Sequence, residues 1–122
     1  MSKELEKLQE IIDSHNNSVF LGGAGVSTEK YDYPPETILS HPFFMRHPEE
    51  FYKFYHDKML CDTAKPNAAH KKLAELEASG KLKAVITQNI DNLHQMAGSR
   101  RVLELHGSVH RNYCMKCGKF YD

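Results

Sequence analysis

Leu5, Leu8, Ile11 and Ile12 recur at helical spacing with charged residues between them. That spacing predicts an amphipathic helix over residues 3–15, closed by the polar run Ser14-His15-Asn16-Asn17-Ser18. Val19-Phe20-Leu21 is a continuous apolar run leading straight into Gly22-Gly23-Ala24-Gly25, the pattern of a buried strand and a glycine turn. Residues 30–42 are rich in aromatics and prolines. Pro34-Pro35 forbids a helix through that point, although Pro35 can open one. Pro48 begins another, with Glu49 and Glu50 suited to its electropositive end and Phe51, Phe54, Tyr55 and Met59 on one face. A further helix is expected from near Pro66 to Gly80, with Leu73 and Leu76 facing inward.

Residues 84–87 read as a buried strand and residues 91–97 as a short helix stopped by Gly98. The next strand covers 102–105 and ends at His106-Gly107, and one more is expected over 109–113. Strands alternating with helices favour an α/β fold with a parallel sheet.

Composition narrows the function classes. At 40% hydrophobic residues the 122-residue chain can pack a core of ordinary domain size. Lys+Arg and Asp+Glu both number 16, so no basic excess points to nucleic acid or an acidic membrane, and Arg100-Arg101 is too short to supply one. No apolar run approaches the roughly 18 residues of a membrane span, and the charged N-terminus does not read as a signal peptide. A cytoplasmic protein without nucleic-acid or membrane partners is the expectation.

The glycine turn has the logic of a dinucleotide site, because glycines let backbone amides approach a pyrophosphate. The dehydrogenase fingerprint wants a third glycine where Thr28 stands, which disfavours hydride transfer. A plain strand-to-helix turn explains Gly-Ala-Gly about as well. Gln88, Asn89 and Asp91 follow the second strand and His106 follows the third, and ligands in open α/β sheets bind at such strand ends. Asn89 or Asp91 can equally cap the next helix. The other seven histidines (15, 41, 47, 56, 70, 94, 110) are read as hydrogen-bonded structural residues. His106 differs because a glycine beside it leaves room for a ligand. Cys114-x-x-Cys117, with Gly118 behind, has the spacing of a zinc knuckle; a redox pair would need a strand-to-helix turn early in the fold. Cys61 is the only other cysteine, and His110 lies nearby in sequence.

Gly23-Ala24-Gly25-Val26-Ser27, Thr87-Gln88-Asn89-Ile90-Asp91, Leu105-His106-Gly107 and Cys114-x-x-Cys117 stand in the order and approximate spacing of sirtuins. From about Val19 onward the chain resembles that family. The resemblance implies an incomplete Rossmann-like parallel sheet with a small helical segment and the start of a zinc-binding module. Its parts would be 1–29, holding the first helix, strand and NAD loop; 30–64, a helical small-domain segment; 65–111, the Rossmann-like strands; and 112–122, half of a zinc knuckle.

The implied function is NAD-dependent protein-lysine deacetylation or deacylation, acting on an acyl-lysine in a protein or peptide and consuming NAD as co-substrate. In that reaction the substrate's amide oxygen attacks C1′ of the nicotinamide ribose and expels nicotinamide, and O-acyl-ADP-ribose is the eventual product. His106 would be the general base on a ribose hydroxyl, a role suited to neutral imidazole. Asn89 would orient the ribose and a water. Asp91 and the Ile90 backbone would hold the nicotinamide carboxamide. Gly23, Ala24, Gly25, Ser27, Thr28 and Gln88 would complete the NAD pocket. Zinc would take Cys114 and Cys117, with a second pair supplied downstream in sirtuins.

Two features depart from the family. Ser27-Thr28-Glu29 runs directly into Lys30-Tyr31, without the phenylalanine- and arginine-bearing stretch that covers NAD in sirtuins. The chain also stops at Asp122, before the second ligand pair and the remaining strands. Exposed sheet edges are expected to promote self-association. The competing readings are mono-ADP-ribosyl transfer, a non-catalytic remnant, and a small zinc-binding interaction module.

Overall fold

A computed structural model describes residues 2–23, 26, 39–60 and 64–121. The expected helix opening at Pro35, the cofactor-loop residues Ala24, Gly25, Ser27 and Thr28, and Cys61 lie outside the described residues.

Helix α1 spans Lys3–Ser14, begun by Ser2, whose hydroxyl accepts from the Leu5 amide. At its far end the Lys81 ammonium donates to the Asp13 carbonyl at 2.6 Å, satisfying an acceptor that the helix leaves open. Strand β1 (Ser18–Gly22) follows, then α2 (His41–Arg46), α3 (Pro48–Phe54) and a π-helical turn over Tyr55–Met59. α2 was not among the elements expected from the sequence. Pro42 sits in its first turn, where no amide donor is needed, and the Ser40 hydroxyl caps the Phe43 amide. The rings of Phe44, Phe51, Tyr52 and Tyr55 pack edge-on or stacked at 4.9–5.9 Å, so this segment holds itself together by aromatic contact.

Helix α4 (Ala68–Ala78) begins at Asn67, whose side-chain oxygen accepts from the Ala69 and His70 amides. It ends at Gly80, whose φ of +78° suits glycine. Strand β2 (Leu82–Thr87) leads to the short helix α5 (Leu93–Met96), strand β3 (Val102–Glu104) and a hairpin of β4 (Asn112–Tyr113) and β5 (Phe120–Tyr121). α5 starts later than residue 91 because Asn92 takes a left-handed φ of 62°, while the Asp91 carboxylate accepts from the Leu93 amide. The strand expected over 109–113 shrinks to two residues. The Val109 amide donates instead to the Ile90 carbonyl, and Arg111 turns back on Ser108.

The main sheet is parallel throughout, in the order β1-β2-β3, as the α/β reading requires. One face carries Phe20, Val85 and Val102 against Leu73 and Leu76 of α4, with Leu82 completing the cluster. Val85, fully excluded from solvent, is its centre. The Glu77 carboxylate reaches from α4 to accept from the amides of Arg100 and Arg101, fixing where β3 begins. On the opposite face Val19, Leu21 and Leu103 are exposed, as is Leu105 just beyond β3.

Candidate active site

Because the three strands are parallel, their carboxyl ends share one edge of the sheet, and backbone bonds tie them together. The Gln88 amide donates to the Gly22 carbonyl at 3.0 Å, joining the exits of β1 and β2. The Leu105 amide donates to the Thr87 carbonyl at 2.9 Å, joining the exits of β2 and β3. Thr87 is buried, and its hydroxyl accepts from the Asn89 amide at 3.0 Å. That contact bends the chain off the sheet immediately after β2 and presents Gln88, Asn89 and Asp91 at the edge.

The glycine turn meets this cluster. A Cβ built on Gly23 would stand 3.5 Å from the Gln88 Oε1, so the Gln88 side chain lies over backbone that carries no side chain of its own. The Val26 amide closes a turn on the Gly23 carbonyl at 3.0 Å. His106 is exposed on the turn after β3, where Gly107 has a φ of +77° that an L side chain would resist. The structure thus brings Gly23, Gln88, Asn89, Ile90, Asp91 and His106 to one sheet edge.

Two arrangements there were not apparent from sequence. The Glu104 side chain, 3% exposed, accepts from Gln95 at 2.9 Å and pairs with Arg111, bracing the turn that carries His106. His70 and His94, expected to be hydrogen-bonded structural residues, are both fully buried with ring centroids 4.6 Å apart. His70 contacts Asn67, but neither ring nitrogen of His94 has a hydrogen-bonding partner among the described residues. Burial holds both imidazoles below the ordinary histidine value; for His94 the neighbouring His70 adds to this, and the Asp91 carboxylate opposes it for both. The spacing Asn67-x-x-His70, a helix cap and its third residue, was the available sequence signal.

Cys114 and Cys117 stand apart from this edge, on the β4–β5 hairpin. The Gly118 amide donates to the Cys114 carbonyl, and the Cys114 amide to the Lys119 carbonyl, both at 2.8 Å. Amides of Cys117 and Lys116 aimed at the Cys114 sulfur hold its thiol below the usual cysteine value. Such a turn suits two thiolate ligands of a metal, although no cluster of three ligands occurs among the described residues.

The model of the Sir2 family matches residues 24–122. The chain belongs to that family. It is 52% identical to an NAD-dependent protein deacetylase of Clostridium acetobutylicum, a match covering 98% of this chain and 56% of the relative. Identity is 54% to the protein of the same name from Clostridium tetani, over 96% of this chain and 54% of the relative. Among solved structures it resembles a Sir2 bound to acetylated peptide, with TM-score 0.87 and 42% identity over 99% of this chain and 52% of the other. A Sir2–p53 peptide–NAD+ structure gives TM-score 0.86 and 42% identity, with the same coverage. This sirtuin chain therefore spans about half the length of the curated relatives it matches. Its match to the Clostridium perfringens deacetylase extends over 139 positions against 122 residues, so that relative carries residues this chain lacks.

Proposed function

We propose that the chain carries the nicotinamide end of an NAD-dependent protein-lysine deacetylase. The observation that supports this best is the convergence of Gly23, Gln88–Asp91 and His106 on the shared edge of three parallel strands. Open α/β sheets bind ligands in that place. The relatives' names and their peptide and NAD+ complexes favour the same reading.

Gly23 adds no side chain of its own between its backbone and a phosphate-bearing ligand, and the Gln88 side chain beside it belongs to the same proposed pocket. Ala24, Gly25, Ser27 and Thr28, next in sequence, are assigned to the same NAD pocket by the family resemblance. Bound NAD would supply a ribose C1′ already bonded to a good leaving group, nicotinamide. Asp91 and the Ile90 backbone are assigned to the carboxamide, an amide that can both donate to a carboxylate and pair with main chain. Asn89 is assigned to the ribose hydroxyls and a water. His106, solvent-facing on a braced turn, is assigned as the general base that would take a proton from a ribose hydroxyl of bound NAD. The acyl-lysine of a protein or peptide is the substrate.

Cys114 and Cys117 are assigned to structural zinc, as two of four ligands. A Cys114 thiol eased toward thiolate by the Cys117 and Lys116 amides suits that metal.

Nicotinamide release from NAD in the presence of an acetyl-lysine peptide tests the proposal. Release that disappears in His106→Ala, with the fold intact, supports it. Absence of both release and NAD-induced amide shifts at Gly23, Gln88 and Asp91 contradicts it.

A further inference from the structure

His70 and His94 are the two largest side chains fully excluded from solvent among the described residues. His70 Nε2 and both ring nitrogens of His94 have no hydrogen-bonding partner among those residues. An apolar pair of similar volume would avoid that cost, so two imidazoles held together here call for an explanation.

Their neighbours supply one. The Asn67 side-chain amide donates to the Val26 carbonyl at 2.7 Å, across 41 residues of sequence, and so holds the far end of the glycine turn. The Asn67 side-chain oxygen lies 2.7 Å from His70 Nδ1. So short a contact needs the proton on Nδ1, which outweighs the longer 3.3 Å approach of the Asn67 amide to the same nitrogen and leaves Nε2 as an acceptor. The His70 ring packs on His94, whose ring also faces Phe20 of β1 at 6.2 Å. His94 belongs to α5, the helix whose first turn is set by Asp91. A continuous buried path thus runs from the glycine turn through Asn67, His70 and His94 to the Asp91 loop, separate from the Gln88–Gly22 bond.

We propose that Asn67, His70 and His94 form a buried bridge that fixes the glycine turn and the Asp91 loop relative to each other, the two histidines acting as positioning residues while both are neutral. The inference rests on the reading of that crevice as a nicotinamide nucleotide site. Of the elements around the pair, α4 brings Asn67, β1 brings Phe20, and the segment before α5 brings Asp91. The Asp91 carboxylate is the charged group acting on both rings. A proton on one ring places a charge against the other at 4.6 Å, so the pair titrates as a unit, and its charging disturbs both ends of the bridge.

The test is an NMR titration of the 122-residue chain between pH 8 and pH 5, following imidazole nitrogens and backbone amides. The bridge predicts His70 in the Nδ1-protonated tautomer, with the pair's midpoint below 6.5, the ordinary histidine value. The amides of Val26 and Asp91 move with that midpoint while Tyr113 of β4 does not. In Asn67→Ser, which keeps a capping oxygen but loses the amide donor, Val26 stops responding and Asp91 continues. In a His70→Gln, His94→Gln double variant, with no imidazole left in the pair at any pH, both responses flatten. The bridge is overturned if Val26 never follows the pair, if it still follows in Asn67→Ser, or if all amides including Tyr113 move together as in unfolding. NAD is absent from this titration. Failure of NAD to shift Gly23 or Gln88 in a separate experiment would count against the proposed function and leave the bridge readout standing.

Discussion

The Gln88 amide and the Gly22 carbonyl meet at 3.0 Å, and that bond brings the glycine turn and the polar cluster after β2 to a common edge. The two segments are 66 residues apart in sequence, and parallel pairing of Gly22 with Thr87 is what makes them neighbours. The proposed cofactor crevice depends on this register. A slip of one residue would turn Thr87 out of the core and break the contact that aims Asn89.

Gly22 is the least substitutable residue of that junction. A Cβ there would collide with the Phe20 ring and come within 3.2 Å of the Val26 side chain. Phe20 cannot yield freely, because its ring packs on the core cluster and on His94. Gly22→Ala is expected to cost about 1–3 kcal/mol, as overpacking does. Urea denaturation measures it, and the Phe20 and His94 resonances should shift together.

Stability should fall on mild acidification. The unfolded chain's histidines take protons near 6.5, whereas His70 and His94 in the folded chain resist protonation until a lower pH, chiefly through burial. Between those values the unfolded state binds more protons, so stability rises with pH across the window. It is fully present above 6.5 and is lost as pH falls through the folded values. Urea midpoints compared at pH 7.5 and pH 5.5 should drop for the native chain. The drop should be smaller in a His70→Gln, His94→Gln double variant.

Zinc uptake should depend on the hairpin alone. Cys114→Ser is expected to reduce bound zinc to background by metal analysis and to leave the amide spectrum of β1, β2 and β3 unchanged. With two thiolates per chain, a zinc-to-chain ratio near one-half together with dimer formation would mark two chains completing one tetrahedral site.

Self-association is expected as well. β1 and β3 are the outer strands of the main sheet, and Val19, Leu21, Leu103 and Leu105 stand exposed on one side of it. Light scattering should find species larger than a monomer. Leu21→Lys with Leu103→Lys should shift the chain toward monomer at little cost to the core, which lies on the other face. A monodisperse native monomer would contradict this expectation.

Much of the fold was legible because its signals are local. The apolar run at Val19-Phe20-Leu21, the helix start near Pro66 and the stops at Gly80 and Gly98 each act within a few residues. α2 was hidden because Pro42 reads as a breaker until Ser40 is seen capping the turn before it. The strand expected from Val109 failed because Ile90 offers that amide a tertiary partner, which no periodicity encodes. Gln88–Asp91 and His106 were found through strand ends and family motifs. The His70–His94 pair was not, since α4 and α5 meet only through packing, and a histidine next to apolar residues gives no hint of another histidine against it.

Gly23, Gln88–Asp91 and His106 are proposed together as the nicotinamide end of an NAD site. The most direct measurement is an amide-resolved NAD titration of the chain, paired with nicotinamide release on an acetyl-lysine peptide, for the native protein and His106→Ala. Shifts are expected at Gly23, Gln88 and Asp91 in both proteins, with release falling by about 10²–10⁴-fold in the variant, the usual contribution of a general base. NAD that perturbs none of these residues, or release undiminished without the His106 imidazole, would contradict the proposal.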